Sequence, residues 1–76
     1  MTLANLEIGE KATVKAVTGE GAISKRLMEM GIVPGVSIRV VKSAPFGDPI
    51  EIRVKGYNLA IRRTEAEVIE VSSAIN

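Results

Sequence analysis

The sequence predicts an all-β domain: a small five-stranded barrel, closed or nearly so, with one short helix inserted after the first strand. Three observations carry this expectation. Short segments alternate apolar and polar residues with period two, as half-buried strands do. One stretch, Arg26-Leu27-Met28-Glu29-Met30-Gly31-Ile32-Val33-Pro34-Gly35, breaks that alternation and reads as a helix end, a glycine stop and a Pro-Gly turn. The chain has 76 residues with no cysteine and no histidine. Neither a disulfide nor a structural zinc site of His and Cys is available, so stability must come from aliphatic packing.

The elements follow in order. Asn5 to Glu10 reads as an entry turn after a short tail. Lys11 to Thr18 reads as a strand, with Ala12, Val14 and Ala16 on one face and Lys11, Thr13 and Lys15 on the other. Gly19-Glu20-Gly21 breaks it and leads into a helix over Ala22–Met30. There Ile23, Leu27 and Met30 recur at i, i+4 and i+7 and line one face. Gly31 suits the left-handed conformation that ends a helix. Val33-Pro34-Gly35-Val36 fits a type II turn, with proline presetting φ at the second position and glycine accepting φ > 0 at the third.

Val36 to Lys42 is the second strand, with Val36, Ile38 and Val40 on one side. Ser43 to Pro49 is a loop. Ile50–Lys55 and Asn58–Arg62 form a hairpin pair. With Gly56-Tyr57 as a type II′ loop, Val54 would face Leu59 and Ile52 would face Ile61, while Glu51 would meet Arg62 as an opposite-charge pair. Thr64-Glu65-Ala66 reads as a turn. Glu67 to Val71 is the last strand, with Ile69 and Val71 inward, and the last few residues read as a tail.

Composition narrows function. Ten basic and nine acidic residues give a formal charge of +1, which is no electrostatic footprint for nucleic acid or an anionic membrane. No basic-then-apolar leader opens the chain, and no run approaches the roughly 20 apolar residues needed to cross a bilayer. One cytoplasmic domain over residues 1–76 is the expectation. Without histidine or cysteine, no Ser-His or Cys-His catalytic pair can form. Glu65, Glu67 and Glu70 read as a solvated face, and Gly19-Glu20-Gly21 lacks the third glycine and the βαβ context of a dinucleotide fingerprint. No enzyme is expected.

Four side chains qualify as partner contacts. Arg26 and Glu29 lie off the apolar helix face and are either solvated charges or recognition residues. Phe46 is a large apolar residue in a Pro/Gly/Asp loop; it either folds back to plug the barrel end or stands exposed for binding. Arg63 is the freer member of Arg62-Arg63, since Arg62 has Glu51 to explain it.

Read together, Leu6–Glu10, Arg26–Gly35, Ala44–Pro49 and Gly56–Arg63, followed by Glu65-Ala66, resemble the ferrous iron transport protein A (FeoA) family. The resemblance covers essentially the whole chain in order. It implies an SH3-like five-stranded barrel with a helical insertion. It also implies a non-enzymatic cytoplasmic accessory to the bacterial ferrous iron transporter FeoB, a membrane protein with a cytoplasmic G-protein domain. Asp48 in the loop then joins Arg26, Glu29, Phe46 and Arg63 as a candidate contact. The fold is similar to the C-terminal domain of metal-dependent repressors of the diphtheria-toxin-repressor type, although no helix-turn-helix precedes this barrel.

A metal-binding or metal-sensing role is the alternative. The chain offers Fe²⁺ only carboxylates, carbonyls and methionine sulfur, so no cofactor is expected and any divalent metal site is weak or bridges subunits. An RNA-binding barrel and a polyproline-gripping SH3 role are disfavoured by near-neutral charge and only two aromatic residues. A homodimer through an exposed strand or Phe46 is left open.

Overall fold

The computed structural model describes residues 1–73; the tail expected beyond them lies outside the described residues. Five strands form one antiparallel sheet in the order β4-β3-β2-β1-β5. They are β1 (Lys11–Val17), β2 (Ser37–Ser43), β3 (Ile50–Val54), β4 (Tyr57–Ile61) and β5 (Ile69–Ser73). Helix α1 (Gly21–Glu29) is inserted between β1 and β2, and a single turn, α2 (Arg63–Ala66), joins β4 to β5. Ile61 of one edge strand and Ile69 and Val71 of the other share one buried cluster with Ala12, Val14, Ile38, Val40, Ile50, Ile52 and Val54. Both edges deliver side chains to the same core, so the sheet curls around it. Two bulges, between Val14 and Ala16 and between Val40 and Lys42, add twist where the sheet turns.

Helix α1 stops as the sequence predicts. Gly31 takes φ +99°, the Gly31 N–H donates to the Met28 carbonyl at 3.0 Å and the Ile32 N–H to the Leu27 carbonyl at 3.1 Å. This pair of bonds is a Schellman cap, and its usual apolar contact is made by Leu27 and Ile32, both fully buried. Tyr57 Oη donates to the Met30 carbonyl at 2.6 Å and lies 2.7 Å from the place a Cβ on residue 31 would occupy. Glycine is thus required there for both conformation and space. In the next turn the Val36 N–H donates to the Val33 carbonyl at 3.2 Å, with Gly35 at φ +97°.

Several expectations need correction. The β3–β4 loop is Lys55-Gly56, with φ of +52° and +87°, and not Gly56-Tyr57. Two successive positive φ values make it the type I′ turn that matches strand twist. The pairing is therefore Val54 with Tyr57, Ile52 with Leu59 and Ile50 with Ile61. A slip of two residues leaves every side chain on its predicted face, so the core is unchanged, but the Glu51–Arg62 pair is lost. Glu51 instead faces Ala60, accepts from Asn58 Nδ2 at 2.9 Å and lies 3.8 Å from Lys42 Nζ.

The amino-terminal tail is structure: Leu3 is fully buried, and the Val71 N–H donates to the Met1 carbonyl at 2.9 Å. Ile23 is 40% exposed, so the buried helix face is Leu27 with Met30 packed beside it. The turn over 64–66 is the helical turn α2, and β5 begins at Ile69. Glu65, read as solvated, is only 5% exposed.

Candidate docking surface

The loop between β2 and β3 is short and internally bonded. The Gly47 N–H donates to the Ala44 carbonyl at 2.7 Å, and the Ala44 N–H to the Pro49 carbonyl at 3.0 Å. Proline at the second position and glycine at the fourth suit the turn Ala44-Pro45-Phe46-Gly47. At its third position Phe46 is 98% exposed. Of the two readings open to Phe46, the structure takes the exposed one. An aromatic ring held in water by a stiff turn loses little entropy when a partner covers it.

Asp48 and Arg63, far apart in sequence, are brought together. Asp48 Oδ1 accepts the Arg63 backbone N–H at 3.0 Å. The Arg63 guanidinium reaches back, with Nη1 donating to the Gly47 carbonyl at 3.4 Å and Nη2 to the Ala4 carbonyl at 3.3 Å. Arg63 is therefore a strut for the Phe46 loop and not the freer cation that the sequence predicts.

Arg26 is also engaged. Its Nη1 donates to Glu65 Oε2 at 2.6 Å, while Glu65 Oε1 accepts the Arg62 backbone N–H at 2.8 Å. Glu65 at the third helical position reaching back to the residue before the helix is one half of a capping box. With arginine in place of Ser, Thr, Asp or Asn at the N-cap, the sequence carries only the Glu65 half of the usual capping signature for α2. Helix turn α2 thus joins two sets of contacts: Arg63 holds the β2–β3 loop, and Glu65 holds α1. Glu29 is exposed on α1, apart from the Phe46–Asp48–Arg63 group, and makes no side-chain hydrogen bond among the described residues.

Beside the loop a groove of about 300 Å³ is lined by Lys42, Ser43, Ala44, Pro45, Pro49, Glu51 and Ala60. Its floor is the outer face of β2, β3 and β4. Among the described residues, no three His, Cys, Asp or Glu side chains gather closely enough to hold a metal ion. No helix among them is long and apolar enough to cross a membrane.

A five-stranded antiparallel sheet that curls around one core, with a helix after its first strand and β5 returning beside β1, defines a small barrel-type domain. The FeoA domain model matches residues 1–73, and the chain belongs to the FeoA family. A fused Fe(2+) transport protein A/Fe(2+) transporter FeoB from Porphyromonas gingivalis is 44% identical over 71 residues, 93% of this chain and 8% of that relative. The chain thus spans less than a tenth of the length of that curated relative. The solution structure of FeoA from Chlorobium tepidum matches with a TM-score of 0.91 at 43% identity, covering 97% of this chain and 70% of that one. The crystal structure of Stenotrophomonas maltophilia FeoA complexed with zinc, described as a procaryotic SH3 domain protein, matches with a TM-score of 0.84 at 34% identity, covering 95% and 89%. The fold is accordingly the SH3-like barrel that the resemblance implies. The family serves ferrous iron transport and is one of small accessory proteins, not of enzymes.

Proposed function

We propose that this chain is a cytoplasmic regulatory module of ferrous iron uptake that docks on the cytoplasmic face of FeoB, with Phe46 as its anchor. The observation that carries this reading is the Porphyromonas gingivalis relative, in which a similar domain is covalently joined to FeoB. Fusion keeps a domain and its partner at high effective concentration, which favours an interface between the two. Phe46, 98% exposed on a turn braced by Asp48 and Arg63, fits the anchor role, since aromatic residues dominate interface energetics. Arg26 and Glu29, exposed on α1, offer a second contact away from the Phe46 loop. Full-length FeoB in nanodiscs, loaded with GDP or a GTP analogue, tests the docking. Binding in either state supports it, and no binding in both contradicts it.

A second reading has one observation in its favour, the zinc complex of the Stenotrophomonas maltophilia protein. With no histidine or cysteine in this chain, a divalent metal here would sit on carboxylates contributed by two copies and would bind weakly. Anaerobic calorimetry with Fe²⁺ and Zn²⁺, paired with light scattering, tests it: metal-dependent dimerisation supports this reading, and a monomer that takes up no metal removes it.

A further inference from the structure

Three cations stand in a row on the outer face of the sheet. Lys11 of β1 is directly opposite Arg39 of β2, and Arg39 is directly opposite Arg53 of β3. All three are exposed. Among the described residues the ion pairs lie elsewhere, between Arg26 and Glu65 and between Lys42 and Glu51. Arg39 donates one N–H to the Gly9 carbonyl at 3.0 Å, and Arg53 donates one to Asn58 Oδ1 at 3.2 Å. Each guanidinium keeps further donors for a ligand. Glu10, next to Lys11 in sequence, is turned onto its own loop, where it accepts the Glu7 N–H at 2.6 Å.

Like charges placed directly opposite across a sheet oppose folding. The chain carries a net charge of only +1, so the row is a local concentration and not a consequence of composition. The same outer face continues through Lys42, Glu51 and Ala60 along the groove to the Phe46 loop.

We propose that Lys11, Arg39 and Arg53 form a recognition row for an acidic segment of a partner protein, laid across the outer face of β1, β2 and β3. Charge complementarity selects this occupant. Strands lie about 4.8 Å apart, so the row presents cations at a spacing that neighbouring carboxylates of one segment can follow. Two of the three are arginines, which grip carboxylates through paired hydrogen bonds. Nucleic acid is a poorer fit, because the row has no aromatic platform for bases. An anionic membrane is a poorer fit too, because Glu51 lies on the same face, paired with Lys42, and interrupts the positive field beside the row. Recognition by this row does not depend on FeoB being the partner, and a short acidic peptide presents the same chemistry without a transporter.

Fluorescence anisotropy with a labelled oligoglutamate peptide tests it on the full chain. The comparison is between the wild type, Arg39→Gln/Arg53→Gln, and a control, Lys25→Gln/Arg62→Gln, that removes equal charge elsewhere. Phosphatidylserine vesicles serve as a separate arm. The wild type should bind the peptide more weakly as salt rises. The row variant should lose about tenfold or more in affinity, and the control much less. Melting curves should show the row variant at least as stable as the wild type. No peptide binding, equal loss in both variants, or row-dependent binding to vesicles tighter than to the peptide would overturn the proposal.

Discussion

Tyr57 Oη donates to the Met30 carbonyl at 2.6 Å and fills the space where a Cβ on Gly31 would lie, 2.7 Å away. The start of the last hairpin strand is thereby pinned to the end of the inserted helix. Gly31→Ala meets two penalties: a left-handed backbone, costing about 1–2 kcal/mol for a residue with a Cβ, and displacement of the Tyr57 hydroxyl. Tyr57→Phe alone should cost about 0.5–1.5 kcal/mol for the lost hydrogen bond. The double variant should be less destabilised than the sum of the two, because the hydroxyl that obstructs the Cβ is gone. Urea denaturation of all four proteins measures this coupling, and strict additivity would sink it.

Glu65 ties α1 to α2 from a buried position. Glu65→Ala leaves the Arg62 N–H without its acceptor and Arg26 without its partner. The expected loss is about 0.5–2 kcal/mol, chiefly from losing the carboxylate that caps the part-buried Arg62 N–H at the start of α2. The ion pair itself contributes little, because the Arg26 side chain is 60% exposed. Chemical denaturation of Glu65→Ala and Glu65→Gln tests this, and a change below experimental error in both would show that the contact is dispensable.

Leu27 and Ile23 share a helix face in sequence and differ in burial, at 0% and 40% exposed. Leu27→Ala should cost about 2–5 kcal/mol. Ile23→Ala should cost far less, because its side chain already meets water. Thermal melts of the two variants should separate clearly; equal shifts would mean that the helix is seated differently.

Lys55 sits at φ +52° in a type I′ turn, where asparagine is favoured. Lys55→Asn should stabilise the chain by several tenths of a kcal/mol, on the order of other substitutions matched to a backbone conformation. A lowered melting temperature would argue against the Lys55-Gly56 loop and for the register with Gly56-Tyr57.

The hairpin shows what the sequence can and cannot specify. Its inward face was legible, since Ile50, Ile52, Val54 and Ile61 alternate with polar residues. Its register was not, because a slip of two residues keeps every face and both loops contain Gly56. The Gly31 stop and the Pro34-Gly35 turn were legible because backbone chemistry is local. The burial of Glu65 was not: its partner Arg26 lies 39 positions away, and a glutamate in a polar turn carries no local mark of enclosure. For the same reason the Arg63 contacts with Asp48, Gly47 and Ala4 were invisible, while the exposure of Phe46 was one of two open readings.

The most direct test of the docking account compares the wild type with Phe46→Ala for binding to FeoB in nanodiscs, with melting temperature measured in parallel. Phe46 is 98% exposed, so its removal should change stability by no more than about 0.5 kcal/mol. As an anchor, its loss should weaken binding by about tenfold or more. Unchanged stability with weakened binding is the predicted result. Equal binding by both proteins would contradict the assignment of the anchor to the β2–β3 loop.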